Sequence, residues 1–144
     1  MPDALKSYRD GLAIADRLAK ADPGNAEWQR DLSVSYNNIG DLLVAQGNLP
    51  DALKSYRDGL VIADRLGKTD PGNAGWQRDL SVSFAKLAVV FRKAGNKIDA
   101  LNALKEGRAI AERLARLSPG NAQWKRDLDW FEEQLILLSH KNPT

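Results

Sequence analysis

No cysteine occurs among the 144 residues. That absence excludes disulfides, thiolate chemistry and a cysteine-bound zinc ion. Histidine is nearly absent as well: His140 stands alone near the C-terminus, without the second imidazole or the base that a metal site or an activated nucleophile needs. Neither sign of charge dominates, because 21 basic residues face 19 acidic ones for a net charge of +2. Basic and acidic side chains alternate and form no basic stripe, which argues against nucleic acid and against an anionic membrane surface. Long apolar runs are missing too. The longest lies around Leu135–Leu138, far short of a membrane span or a signal peptide. These absences leave a protein that is not an enzyme, with no catalytic residue, cofactor or metal assigned, and they fit a cytoplasmic location.

What is present is repetition. Asp22-Pro23-Gly24-Asn25-Ala26-x-Trp28 returns as Asp70 to Trp76, and again as Ser118-Pro119-Gly120-Asn121-Ala122-x-Trp124, each time 48 residues further on. Residues 2–35 and 50–83 differ only at Ala13/Val61, Ala19/Gly67, Ala21/Thr69 and Glu27/Gly75. Such self-similarity marks a tandem array, with units of about 2–49, 50–97 and 98–144 in one domain spanning 1–144.

Each unit holds two helical patterns. Ala52, Leu53, Tyr56, Leu60, Ala63 and Leu66 recur at three-four spacing and form one stripe. Pro50 is expected at the first helical position, where its missing N–H is not needed, and Asp51 lies at the positive end of the helix dipole. Asp70-Pro71-Gly72-Asn73 stops the helix, and Pro-Gly predicts a turn with positive φ at the glycine. Trp28, Leu32, Tyr36, Ile39 and Leu43 form the stripe of the other helix, with Asn25 as its cap. Gly47 and Gly95 close the later helices in the left-handed conformation. The periodicity predicts six helices over 2–21, 25–46, 50–69, 73–94, 98–117 and 121–140, with no strand. Connections this short make consecutive helices antiparallel neighbours, and stacked pairs bury what one hairpin cannot.

Tyr36-Asn37-Asn38-Ile39-Gly40, then Gly47, then Ala52-Leu53-x-x-Tyr56, resembles the tetratricopeptide repeat. In the next copy Leu87-Ala88, Gly95 and Ala100 match, while Leu104 replaces the aromatic. The usual unit has 34 residues and this one has 48, so the chain is similar to long-helix variants of the kinesin-light-chain kind, with the closing proline displaced to Pro71. The resemblance implies an all-α, right-handed α-solenoid of antiparallel hairpins. It also implies a scaffold that takes a peptide or partner protein on a concave face lined by the first helix of each pair.

The copies diverge where that face is expected. Asn37, Asn38 and Asp41 become Ala85, Lys86 and Val89; Ala45 becomes Lys93; the third copy offers Gln134. Trp130 replaces Val34 and Val82. The candidate partner-binding residues are therefore Asn37, Asn38, Asp41 and Lys86, together with Val89, Lys93, Trp130 and Gln134. The same changes are also what a taper towards a C-terminal cap would produce. Asn38 and Lys86 stand at two positions of the carboxylate clamp of some tetratricopeptide modules, but Val82 fills a basic position of it, which leaves that clamp incomplete.

Trp28, Trp76 and Trp124 share the stripe of Leu32, Leu80 and Leu128, which favours core packing over ligand stacking. Gly11, Gly40, Gly59 and Gly107 lie inside helices and point to close helix approach. Arg30-Asp31, Arg78-Asp79 and Arg126-Asp127 suggest a charged ladder along the stack. Pro2 corresponds to Pro50, so the chain starts on the second helix of a pair. Leu5, Tyr8, Leu12 and Ala15 are then expected to lack a cover. That face, or a seam of Leu135, Leu137 and Leu138 on the last helix, would serve a homodimer. The competing functional reading is a self-assembling spacer that positions attached domains.

Overall fold

The computed structural model describes residues 2–140, and the side chains of 4–139. His140's side chain and everything after it, including Asn142-Pro143, lie outside the described residues, as do the side chains of Pro2 and Asp3. Among the described residues there are six helices and no strand. They are α1 (Pro2–Ala21), α2 (Ala26–Ala45), α3 (Leu49–Thr69), α4 (Ala74–Lys93), α5 (Lys97–Leu117) and α6 (Ala122–His140).

Local chemistry sets the ends. The Trp28 N–H donates to the side-chain oxygen of Asn25 at 3.1 Å, and Trp76 and Trp124 donate likewise to Asn73 and Asn121 at 3.0 Å. Each bond satisfies one of the donors that a helix start leaves free. Gly47 and Gly95 have φ of +78° and +82°. At the first, the Asn48 N–H reaches the Leu43 carbonyl at 2.8 Å and the Gly47 N–H reaches Val44 at 2.9 Å, the paired bonds of a Schellman motif. Asn48 then turns and caps α3, accepting from the Asp51 N–H at 3.3 Å. One asparagine thus ends one helix and begins the next. Pro50 is consequently the second residue of α3, one place later than its missing N–H suggested. A second correction concerns the Pro-Gly turns. Among the described residues positive φ belongs to Gly47 and Gly95 alone. The Asp22–Asn25 turn closes through Asn25 N–H to the Asp22 carbonyl at 3.0 Å, a geometry of type I that needs no left-handed glycine.

The chain forms two compact units, Met1–Asp70 and Pro71–Thr144. In the first, α2 packs against both α1 and α3. The Ser33 hydroxyl donates to the Gly59 carbonyl at 3.0 Å. A Cβ on Gly59 would come within 3.0 Å of Asn37 Oδ1 and 3.2 Å of the Ser33 carbonyl oxygen, and one on Gly40 would press into the ring of Tyr56. These glycines let α2 and α3 approach, and Leu32, Ile39, Leu43, Ala52, Tyr56 and Ile62 fill the interior. In the second unit α5 packs against α4 and α6. The Ser81 hydroxyl donates to the Gly107 carbonyl at 3.4 Å, and a Cβ on Gly107 would meet Phe131 from α6 and Phe84 from α4. Leu87, Phe91, Leu104, Leu114, Phe131 and Leu138 are buried here. Arg78 Nε donates to Asp127 Oδ2 at 2.8 Å, one rung of the expected ladder.

Three expectations are revised. Trp28, Trp76 and Trp124 are half-buried, not core; each sits in the first turn after its cap. Gly11 has nothing within 4 Å of where its Cβ would be, unlike its counterparts Gly59 and Gly107. Leu138 is buried, so it cannot belong to an exposed seam, while Ile136 and Leu137 beside it are exposed.

Candidate protein-interaction surface

The α2 candidates serve the hairpin in part. Asn37 is half-buried and its Oδ1 is enclosed without a hydrogen-bond partner, facing Gly59 in the seam with α3 and not an open surface. Asn38 is half-buried and Asp41 is exposed. The Tyr56 hydroxyl donates to Asp41 Oδ1 at 2.5 Å. Burial, then the hydrogen bond to this carboxylate, then its charge push the Tyr56 phenol far above its ordinary range.

In the second unit three candidates come together. Val89 of α4 and Trp130 and Gln134 of α6 line one crevice with Ala88, Arg92 and Leu104. Arg92, whose counterpart in the preceding copy is Val44, donates to Gln134 Oε1 at 2.5 Å. Trp130 meets Phe131 edge to face, with centroids 5.1 Å apart. The crevice encloses about 10 Å³, hardly room for one water. It is a closed seam whose outer edge is a surface of an indole, a guanidinium and an amide. Lys86 is half-buried on α4, and Lys93 is exposed at its last residue. On the far side of α6, Glu132 accepts from Arg108 at 3.0 Å.

Two larger hollows involve none of the eight candidates. In the first unit a groove of about 480 Å³ has Leu32 and Tyr36 of α2 as its floor, Asp16 and Lys20 of α1 on one wall, and Asp58 and Val61 of α3 on the other. Burial first, then Asp58 and Asp16, push the Tyr36 hydroxyl above its usual range. Lys20 and Lys54 are held protonated by the hydrogen-bonded carboxylates of Asp16 and Asp58. In the second unit a hollow of about 310 Å³ lies between the start of α4 and the end of α5, edged by Arg113, Arg116 and the exposed Leu117. Helical periodicity reveals stripes, not the gaps between them, so neither hollow shows in the sequence. Among the described residues no group of three or more potential ligands is placed to hold a metal ion, and no helix is long and apolar enough to cross a membrane.

Residues 32–66, the span from the core leucine of α2 to the last buried leucine of α3, match the family model of the tetratricopeptide repeat. The match supports a repeat protein of tetratricopeptide type. Repeats of that type mediate protein–protein interaction and are not enzymes. No curated protein is found to match the chain.

Proposed function

We propose that this chain is a protein-binding repeat module of the long-helix, 48-residue kind, similar to kinesin-light-chain arrays, that takes a peptide or partner protein in the cytoplasm. One observation carries the reading. The contacts that build the hairpins are repeated from copy to copy, as Ser33 to Gly59 and Ser81 to Gly107. Several of the positions that differ gather at the edge of a seam, where Val89, Arg92, Trp130 and Gln134 stand together. Constant packing beneath a variable edge is how a scaffold carries specificity, because aromatic and arginine side chains supply most of the energy at protein interfaces. Asn38, Asp41, Lys86 and Lys93 extend the candidate surface within their own units.

The test is capture of a partner from source-cell lysate by the immobilised chain and by its Lys93→Glu/Trp130→Ala variant. A partner lost by a variant that keeps its helical circular dichroism supports the reading. A partner held equally by both sinks it.

The exposed apolar side chains of α1, Tyr8, Ile14 and Leu18, favour a second reading, self-assembly through the array ends as a spacer for attached domains. A homodimer in sedimentation at micromolar chain supports it, and a 15.9 kDa species at every concentration rejects it.

A further inference from the structure

The helix α1 carries a surface whose complement the molecule already contains. Residues 4–12 repeat as 52–60 without change, and Ile14 to Leu18 as Ile62 to Leu66. Yet the same side chains have different surroundings. Tyr8 is 43% exposed, against 3% for Tyr56 of α3. Ile14 and Leu18 are 53% and 39% exposed, against 6% and 3% for Ile110 and Leu114 of α5. Of the described α1 residues, Ala19 alone is buried. Within the second unit α5 packs against both α4 and α6, whereas in the first unit the helix packed against α1 is α2.

We propose that this face of α1 is a docking site for a partner helix of the α2 type, one with serine and glycine seven residues apart and a carboxylate directly after the glycine. The α2–α3 pair supplies the template. There Ser33 bonds the carbonyl of the mid-helix glycine, Gly40 leaves space for the tyrosine ring, and Asp41 accepts from its hydroxyl. In α1 the corresponding groups are Gly11 and Tyr8. Gly11 is an open notch, with nothing within 4 Å of its Cβ position.

The tyrosine makes the site selective among the chain's own helices. In α4, Ala88 stands where α2 has Gly40, and the residue it serves is Leu104, not tyrosine. In α6, Ile136 stands at that position and Asp129 replaces Ser33. A side chain as large as isoleucine overlaps the Tyr8 ring, and a carboxylate in place of the hydroxyl faces the Gly11 carbonyl, acceptor against acceptor. The last helix of one copy is therefore no complement for the first helix of another. The proposal stands independently of the Trp130 surface.

The probe is a labelled, end-blocked peptide of residues 25–46, titrated into the full chain and followed by fluorescence anisotropy. Saturable binding is expected, with helicity gained on binding because an isolated helix of this length is marginal in water. The Gly40→Leu peptide, and the peptide of residues 73–94, should bind about tenfold or more weakly. In the chain, Gly11→Leu should abolish binding while leaving circular dichroism and thermal stability intact or improved, since its Cβ enters open space and leucine is the better helix former. Peptide binding that ignores Gly11→Leu overturns the proposal, as does no binding. A chain dimer that Gly11→Leu dissociates and the peptide does not disturb assigns the face to a second copy, and also overturns it.

Discussion

Gly11 and Gly59 occupy the same place in two copies of one helix, in the same compact unit, yet substituting alanine should move stability in opposite directions. Alanine in a helix interior is favoured over glycine by about 0.5–1 kcal/mol, because the backbone loses less entropy on folding. At Gly11 nothing opposes this gain, since the new methyl group meets open space. At Gly59 it lands 3.0 Å from Asn37 Oδ1 and 3.2 Å from the Ser33 carbonyl oxygen. The amide can turn; the carbonyl is α2 backbone and cannot. Relief requires α2 and α3 to separate, which stretches the Ser33 hydroxyl bond to Gly59 and loosens the packing around Tyr56. Overpacking of this kind costs about 1–3 kcal/mol, leaving a net loss of about 0–2.5 kcal/mol after the propensity gain. The assay is urea unfolding followed by far-ultraviolet circular dichroism. The midpoint should rise for Gly11→Ala and fall for Gly59→Ala at unchanged slope. Equal stabilisation by both substitutions would refute the close approach of α2 and α3. A loss at Gly11 would refute the open notch.

Two further outcomes follow from the packing. Tyr56 keeps its phenol proton in the folded state to a higher pH than in the unfolded chain, where it titrates near 10.0. Its contribution is fully present below that pH and is lost above it, at a slope of about 1.4 kcal/mol per pH unit for one such group. Tyr56→Phe should lower stability at neutral pH by about 1 kcal/mol, through the lost bond to Asp41, and flatten the alkaline slope. Urea midpoints measured across that range check both, and an unchanged slope contradicts the buried phenol. Phe131 is 2% exposed and holds α6 against Gly107. Phe131→Ala should cost about 3–5 kcal/mol, seen as early loss of α6 protection in amide exchange; a loss below about 1 kcal/mol would mean that α6 is held by something else.

The helix limits were legible to within one residue because their causes are local. An asparagine cap, a left-handed glycine and a proline act over three or four residues, whatever the rest of the chain does. The half-burial of the three repeated tryptophans was not legible. A stripe records which side of a helix is apolar but not how fully a neighbour covers each turn of it. Buried polar groups were equally hidden. Gln29 is buried and donates to the carbonyls of Ala19 at 3.2 Å and Pro23 at 3.4 Å, tying the end of α1 to the start of α2, and nothing in its spacing marks it. Of the candidate surface, Val89, Trp130 and Gln134 were visible as positions where copies disagree. Asn37 looks the same by that criterion, but Gly59 lets α3 come close enough to enclose its amide oxygen. Divergence between copies alone does not separate a surface residue from a seam residue; the size of the residue opposite does.

The identity of residues 2–12 and 50–60 also gives the chain an internal clock. Chemical exchange of a backbone amide depends on the side chains beside it, and within these two strings those side chains are the same. Any difference between matched amides, Tyr8 against Tyr56 or Gly11 against Gly59, therefore reports tertiary protection alone, free of sequence correction. With α1 so thinly covered, its amides should exchange well before their twins in α3. The ratio of the two rates reads directly how much of a helix's persistence its neighbours provide.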